Sequence, residues 1–405
     1  MALRHTAMLE VNEFLVLDFV RGHDRTSRLE IGRELGLSPS SVSRIIGRMI
    51  RSGLVLESPG PTTALGRRRN VIASNHAAGA VVAVDLGGTK CHGALADLSG
   101  MVVVERVRPT RTRDGAFSAL VDTIDALRAE AASRELPVSA IAIGIPAILD
   151  PDTGVAVGGP NVDWQGFEIV GQLSQRLDVP FLVENDANLA ALAHAWRGDG
   201  RGVDHFVTIS IGTGIGAAIV ANGRLVKGRH NAAGEIGYFL MGREELHRPR
   251  TDGLGGFEAV AAGPAIARRA AELLASGGIA SSMKPESATP ERVFAGASGG
   301  DPLSCAVIDE LIDWVALALV QVVATVDPEV IILEGSVGRS LEPHIAELVR
   351  RMAPWVPVAP RVLVSRLGPN ATVVGAIAAA LQLARRQRLP STLSQAFDFG
   401  QEVPA

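Results

Sequence analysis

The chain has 405 residues, 47% of them apolar, enough to bury the cores of two or three domains. No uncharged run reaches the ~20 residues of a membrane span, and Met1 to Val11 carries Arg4, His5 and Glu10 where a signal peptide has an apolar core. A cytoplasmic protein with no membrane partner is expected. The net charge of −4 is uneven: residues 1–80 hold 11 Arg against 7 Asp and Glu, so a polyanion partner is expected for that segment only.

In chain order, Leu9, Phe14, Leu15, Leu17, Phe19 and Val20 give a first helix an apolar face, and Gly22 and Asp24 end it. Thr26-Ser27 caps a second helix over 28–35, with Glu30 in its first turn and Gly36 where a left-handed residue is wanted. Ser38 as N-cap and Pro39 at the first helical position start a third. There Val42, Ile45, Ile46, Met49 and Ile50 recur at helical spacing and leave Ser40, Ser41, Ser43, Arg44, Arg48 and Arg51 on the other face. Helix, glycine turn, and helix beginning with small polar residues is the helix-turn-helix arrangement. Ser40, Ser41, Ser43 and Arg44 are expected at base edges in a major groove, with Arg48 and Arg51 on phosphates. A strand over 54–57, a turn over 58–61 and a returning strand over 71–73 read as a wing. Its Arg67, Arg68 and Arg69 would meet the minor groove or phosphates. A three-helix protein-interaction domain shares the helices; the wing and its arginines favour double-stranded DNA.

Residues 81–84 read as a buried strand that ends at Asp85. Gly87 and Gly88 permit a tight turn with outward N–H groups, and Thr89 and Lys90 add donors, which together suit a phosphate. Asp85 could hold a metal ion or a water beside it, although an ordinary hairpin turn has the same pattern. Strands follow over 93–98 and 101–104, then a helix over 116–136, a strand over 141–146 and a polar-tipped loop over 158–164. The strand over 180–183 delivers Glu184-Asn185-Asp186-Ala187-Asn188 to a helix start, where Asp186 suits a general base or a plain N-cap. After a strand over 205–211, Gly212-Thr213-Gly214-Ile215-Gly216 is a second glycine hairpin. Long helices are expected over 301–326 and 371–386.

These motifs, together with Ala233-Gly234-Glu235-Ile236-Gly237, resemble the ROK family (repressors, open reading frames and sugar kinases) over residues 80 to about 388. The resemblance implies an N-terminal winged helix-turn-helix over 1–76 and an α/β two-lobed actin-like ATPase domain. Lobe 1 would be 77–199, completed by the helix 371–388; lobe 2 would be 200–370, with a tail over 389–405. It implies a homodimer or homotetramer, with a sugar at the base of the cleft and any nucleotide above. Carried over residue by residue, Asn185 and Asp186 bind sugar hydroxyls, with Asp186 the catalytic base in a kinase. Glu235 and Glu258 bind other hydroxyls, Asn161 contributes from its loop, and Tyr238 occupies a further sugar-contact position. Surface or cap carboxylates are the alternative for Glu235 and Glu258. Asp85, Gly87, Gly88, Thr89, Lys90, Gly212, Thr213 and Gly214 fall on the nucleotide or phosphate side.

Two departures bear on function. Family members with zinc carry a His at the position of Tyr238 and a cysteine cluster; residues 249–258 contain no cysteine, and His247 is one ligand at most. A structural zinc site takes about four N or S ligands, and the distant Cys91 and Cys305 read as free thiols, so zinc is not expected. Glu334 stands where a glycine is usual in the family's adenosine-side loop, 331–338, where it would crowd or repel a nucleotide. The expected function is a sugar-responsive transcriptional regulator, a repressor. The alternative is an ATP- and Mg²⁺-dependent sugar kinase with an appended DNA-binding domain; a third reading is a regulator whose pocket binds no sugar.

Overall fold

A computed structural model describes residues 2–62, 68–110, 113–158, 164–247 and 254–387. The head consists of α1 (Ala2–Arg21), α2 (Arg28–Glu34), α3 (Pro39–Arg51) and the antiparallel ribbon β1 (Val55–Thr62) and β2 (Arg68–Ser74). Its helices start where side chains satisfy the first free N–H groups. Ser27 and Glu30 close a reciprocal capping box on α2, and on α3 Ser38 accepts from the Ser41 N–H at 3.2 Å. Gly36 takes φ +63° just past α2, which costs a glycine little. Val16, Val20, Ile31, Val42, Ile45, Ile46 and Ile72 bury together as the head's core.

The wing differs from expectation. β1 continues through Pro59, Gly60 and Pro61, so the expected turn over 58–61 is strand, accommodated by a register shift between Pro59 and Thr62. A two-stranded ribbon is all edge, and edges tolerate proline. Arg68 and Arg69 open β2 instead of preceding it, and Arg67 lies outside the described residues. Arg28 of α2 grips Glu57 of β1 through bonds of 3.2 and 2.8 Å, which fixes the wing to the helices.

Between β2 and β3 (Ala80–Leu86) the chain makes only one 3₁₀ turn, His76–Ala78. Asn75 donates its N–H to the Leu54 carbonyl (3.0 Å) and its Nδ2 to the Gly53 carbonyl (2.7 Å), while the Leu98 N–H donates to the His76 carbonyl (3.1 Å). The head is therefore held to the next domain by hydrogen bonds on both sides of the junction.

That domain uses one plan twice. Lobe 1 has β3, β4 (Lys90–Asp97) and β5 (Val102–Pro109) as an antiparallel meander, then β6 (Val138–Ile145), a small ribbon of β7 (Ile148–Leu149) and β8 (Ala156–Gly158), and β9 (Phe181–Asn185). The sheet order is β5-β4-β3-β6-β9, with β6 parallel to both β3 and β9. Lobe 2 repeats this with the meander β10 (Phe206–Ile211), β11 (Ile215–Ala221) and β12 (Arg224–Val226), then β13 (Val330–Glu334) and β14 (Arg361–Val364), in the order β12-β11-β10-β13-β14. Ala80 to Val84 are all buried, as in a central strand covered on both faces. Helices α4 (Arg113–Ser133), α5 (Ile169–Ser174) and α6 (Asp186–Arg197) belong to the first half. Helices α7 (Gly256–Ala261), α8 (Gly263–Ser276), α9 (Pro290–Ser298), α10 (Pro302–Val326), α11 (Gly335–Ser340) and α12 (Ile345–Met352) follow in the second. α13 (Ala371–Arg386) then returns to lobe 1. Among the described residues no helix is long and apolar enough to cross a membrane.

Helix α6 packs against both lobes. Leu189 and Leu192 pack with α13 against the first sheet, whereas Ala187, Ala191 and Ala195 pack against Phe206, Ala218 and Val220 of the second. α13 approaches so closely that a Cβ on Gly375 would lie 1.7 Å from the Leu189 carbonyl oxygen. Gly375→Ala should therefore cost more than the roughly 1–3 kcal/mol usual for overpacking. Gly277→Ala, at φ +67° with nothing within 4 Å, should cost about 1–2 kcal/mol from backbone strain alone. Urea unfolding of both variants checks this; equal losses would mean that α13 shifts freely along α6.

Candidate functional site

The two glycine hairpins meet across the gap between the lobes. The Gly87 N–H donates to the Lys90 carbonyl at 2.9 Å and closes the first; the Gly212 N–H donates to the Gly214 carbonyl at 2.9 Å and closes the second. The Gly263 N–H at the start of α8 also donates to the Gly212 carbonyl, at 2.7 Å. Gly87, Gly88 and Thr89 then face Gly212, Thr213 and Gly214 across a cleft of about 330 Å³. Asp85 and Lys90, expected on the same wall, are not part of it: Asp85 is set behind the first loop, and Lys90 is exposed at the start of β4.

The floor comes from the start of α6. The Asn185 side-chain oxygen accepts from the Ala187 N–H (2.9 Å) and the Asn188 N–H (3.3 Å), so Asn185 is the N-cap. Asp186 is the first helical residue, and its carboxylate lines the cleft. The cap role open to Asp186 in the sequence is thus filled by its neighbour.

The far wall depends on glycines. Gly234 takes φ +90°, and a Cβ there would lie 2.3 Å from the Ala217 carbonyl oxygen; the close turn carries Glu235 to the cleft. A Cβ on Gly255 would lie 2.4 Å from the Tyr238 Cα, so Gly255 lets α7 abut the turn that holds Tyr238. Glu258, on α7, is buried, and its Oε2 accepts from the Ile215 N–H at 2.7 Å. It is therefore neither a surface nor an N-cap carboxylate. Tyr238 stands 54% exposed at the cleft wall. Asn161 lies outside the described residues.

Glu334, read in the sequence as an obstacle to a nucleotide, and residues given no role there complete the site. Glu334, the last residue of β13, lines the cleft at 5% exposure, with Oε1 3.1 Å from His194 Nε2 of α6. His194 is fully buried, and its Nδ1 accepts from the Asp199 N–H at 3.2 Å, so a neutral ring carries its proton on Nε2. The loop after β12 ties lobe 2 to lobe 1 three times. Lys227 pairs with Glu184, Arg229 pairs with Asp152 at 2.9 Å, and Asn231 Nδ2 donates to the Leu149 carbonyl at 2.9 Å. Pairs so distant in sequence leave no local pattern to read.

Burial and mutual repulsion raise the cleft carboxyls. Asp85 is pushed up to about 7 by burial and then by Asp186, with Lys90 pulling the other way. Asp186 is pushed up to about 6 by burial and Glu334, against the Ala187 N–H. Glu235 is pushed up to about 7 by burial, then by Asp186 and Glu258. Burial raises Glu258, opposed by the Ile215 N–H, and raises the Tyr238 phenol, which Glu235 and Glu258 push further.

On the head, Ser40, Ser43 and Arg44 are exposed on the expected face of α3. The Ser41 hydroxyl instead accepts from Ser38 at 2.9 Å, within the cap. Arg48 is half-buried and ion-paired with Glu13 of α1 at 2.6 Å, so it joins α3 to α1 instead of standing free for a phosphate.

Two repeated α/β lobes around a cleft of glycine loops and carboxylates, carrying a winged-helix head, define an actin-like sugar-kinase fold joined to a DNA-binding domain. The chain belongs to the ROK family, whose profile matches residues 81–383, and the MarR family profile matches residues 9–61. It is 24% identical to a xylose repressor of Caldicellulosiruptor bescii over 92% of this chain and 96% of the relative. It is 27% identical to the DNA-binding transcriptional dual regulator NagC of Escherichia coli, over 81% of each. A ROK glucokinase from Streptomyces griseus, solved with glucose and AMPPNP, superposes with a TM-score of 0.65 at 27% identity, covering 75% of this chain and all of that one. A ROK family transcriptional regulator, a homolog of the E. coli MLC protein, superposes with a TM-score of 0.78 over 95% of this chain and 98% of that one, at 24% identity.

Zinc does not fit the donors present. Tyr238 is a poor zinc ligand, Cys91 is buried in β4, and among the described residues no group of three or more His, Cys, Asp or Glu could hold a metal ion.

The raised carboxyls make stability depend on pH with a defined sign. A carboxyl whose folded value is raised holds its proton more tightly folded than unfolded, so its ionisation costs stability. The loss begins near pH 4, the ordinary unfolded value, and is complete above about 7 for Glu235. Glu235→Gln should remove part of this loss, on the order of 1 kcal/mol after discounting the open side of the cleft. Urea midpoints of wild type and variant, compared on both sides of that window, check it; parallel pH profiles would place Glu235 in ordinary solvent.

Proposed function

We propose that the protein is a sugar-responsive repressor that binds operator DNA through its winged-helix head, and that a sugar in the interlobe cleft sets its operator affinity. The observation that carries this reading is the junction at residues 75–79, hydrogen-bonded to the head on one side and to lobe 1 on the other. These bonds couple the head to lobe 1. The cleft walls come from both lobes, so a sugar touching Asn185 and Asp186 on one side and Glu235 and Glu258 on the other favours one lobe arrangement. In a homodimer or homotetramer in the cytoplasm, lobe rotation changes the spacing of two heads that must match half-sites about one helical turn, or a multiple, apart. The relatives named xylose repressor and NagC support a regulator over an enzyme.

The kinase reading is favoured by Asp186 and by the two glycine loops, which face one cleft as in a fold shared with a glucokinase. Against it stands Glu334, a carboxylate in the wall near which a nucleotide's phosphates would pass. The function test is operator binding with and without a sugar panel, in wild type and Asp186→Ala. The variant should bind unliganded operator normally and lose a sugar response worth about 1–3 kcal/mol of coupling. An unchanged response would move the ligand elsewhere. ATP turnover with any sugar at ~1–100 s⁻¹ would instead establish the kinase.

On DNA, Ser40, Ser43 and Arg44 are proposed at base edges, with Arg68 and Arg69 near phosphates or the minor groove. Arg44→Ala should relax preference at one base position by about 1–3 kcal/mol, whereas Arg69→Ala should weaken all sequences alike and flatten the salt dependence. Binding to a library of single-base operator variants separates the two; uniform weakening by Arg44→Ala would place α3 in a different register on the groove.

A further inference from the structure

We propose that His194 is a positioning residue for lobe movement: it staples the two segments that cross between the lobes into one pivot, and Glu334 joins that pivot to the cleft. The consequence for operator binding rests on the sugar-cleft reading above; the pivot itself does not.

The chain crosses between the lobes twice, over 198–205 from α6 to β10 and over 365–370 from β14 to α13. Both crossings close on the same imidazole. From the first, the Asp199 N–H donates to His194 Nδ1 at 3.2 Å. From the second, Ser365 Oγ lies 3.1 Å from His194 Nε2 and accepts its proton, and the Leu367 N–H donates to that same Oγ at 3.3 Å. The crossings are also bonded directly, because the Arg366 N–H donates to Asp199 Oδ2 at 3.1 Å. Gly198 makes the room: a Cβ there would lie 2.6 Å from His194 Nδ1 and 2.9 Å from Leu367 Cδ1.

His194 and Ser365 are buried, so a lost bond in this cluster has no water to replace it. Sliding one crossing past the other would orphan several polar atoms at once, whereas rotation about the ring keeps them paired. Hinges are a few loop or element-terminal residues that absorb changes in φ and ψ. Gly202 at φ +73° and Gly368 at φ +66°, each with nothing within 4 Å, supply that freedom on either side of the staple.

Glu334 connects the staple to the cleft. The Nε2–H of His194 faces two acceptors at 3.1 Å, Ser365 Oγ and Glu334 Oε1, and is aligned only on the first. Glu334 Oε1 is left buried without a hydrogen bond, while the same side chain lines the cleft. A cleft ligand that moves Glu334 therefore changes the competition for one ring proton. Two alternative partners in a packed interior form a discrete two-state element, which coupling between distant sites requires.

The pivot is tested on the full chain by pulsed dipolar EPR. One spin label goes on Cys305, exposed on α10 of lobe 2, and the other on Ala129→Cys, an exposed position on α4 of lobe 1; Cys91 is buried. Excess unlabelled chain keeps the measured pairs within one molecule. The unliganded protein should give a narrow distance distribution. Ser365→Ala and Asp199→Ala should each broaden it, whereas Asp199→Asn, which keeps an acceptor for the Arg366 N–H, should leave it narrow. Unbroadened distributions in both alanine variants overturn the pivot, and so does equal broadening by Asp199→Asn. The His194 Nε2–H resonance reads the Glu334 link without any ligand: Glu334→Gln should shift it, and an unmoved resonance overturns the link. Glucose, xylose and N-acetylglucosamine then probe the consequence. A sugar that binds should shift the distance and change operator affinity about tenfold, a ratio that falls toward one in Ser365→Ala and is kept in Asp199→Asn. A full response in Ser365→Ala overturns the positioning role. If none of the three sugars binds or shifts the distance, that counts against the sugar-cleft reading, while the pivot stands or falls on the unliganded distributions.

Discussion

Helix α6 is clasped from both sides, and the site exists because of that packing. Five of its eight apolar residues are alanine, so the two sheets and α13 can approach it closely: Leu189 and Leu192 meet one lobe, Ala187, Ala191 and Ala195 the other. Gly375 on α13 reaches the helix backbone itself. A helix so held has little freedom to tilt, and its N-terminal turn, capped by Asn185, fixes Asp186 at the floor of the cleft. The positive end of the helix also favours the ionised form of that carboxylate, partly opposing the burial that raises it.

The cleft is a place where folding has accepted unfavourable charge. Four carboxylates share its wall, and two of them, Asp186 and Glu235, are pushed above their ordinary range by burial and by one another. Such an arrangement lowers stability in the unliganded state and makes the free energy of binding depend on what relieves it. The same wall weakens the case for phosphoryl transfer. Glu334, buried beside the second glycine loop, adds negative charge where a triphosphate would need donors and cations.

Legibility in the sequence followed locality. Caps were readable because cap and helix are adjacent: Ser27 with Glu30, and Ser38 with Ser41. Glu235 and Glu258, grouped by the family resemblance, line one cleft wall, and each stands close after a glycine whose missing Cβ lets two backbones touch, at Gly234 and Gly255. The wing was misread where proline and glycine in series suggested a turn, since nothing in Pro59-Gly60-Pro61 shows that an edge ribbon will absorb them by a register shift. Arg48 was assigned to DNA because helical periodicity shows which face it is on, but not that Glu13 of another helix occupies that face. Glu334 with His194 and Lys227 with Glu184 are joined only by the fold, and no spacing in the chain announces them.

The three ties after β12 also affect how this protein responds to salt. The Arg229–Asp152 pair is largely exposed, whereas Lys227–Glu184 is more sheltered and Asn231 bonds to a carbonyl. Raising ionic strength screens the exposed pair and loosens the lobes at the same time as it strips counterion-driven contacts between head and DNA. Two processes then move along one axis. The slope of operator affinity against salt counts phosphates alone only while the cleft is held in one arrangement. With ligand saturating and with ligand absent the slopes should part, and their difference measures how much of the lobe closure is electrostatic.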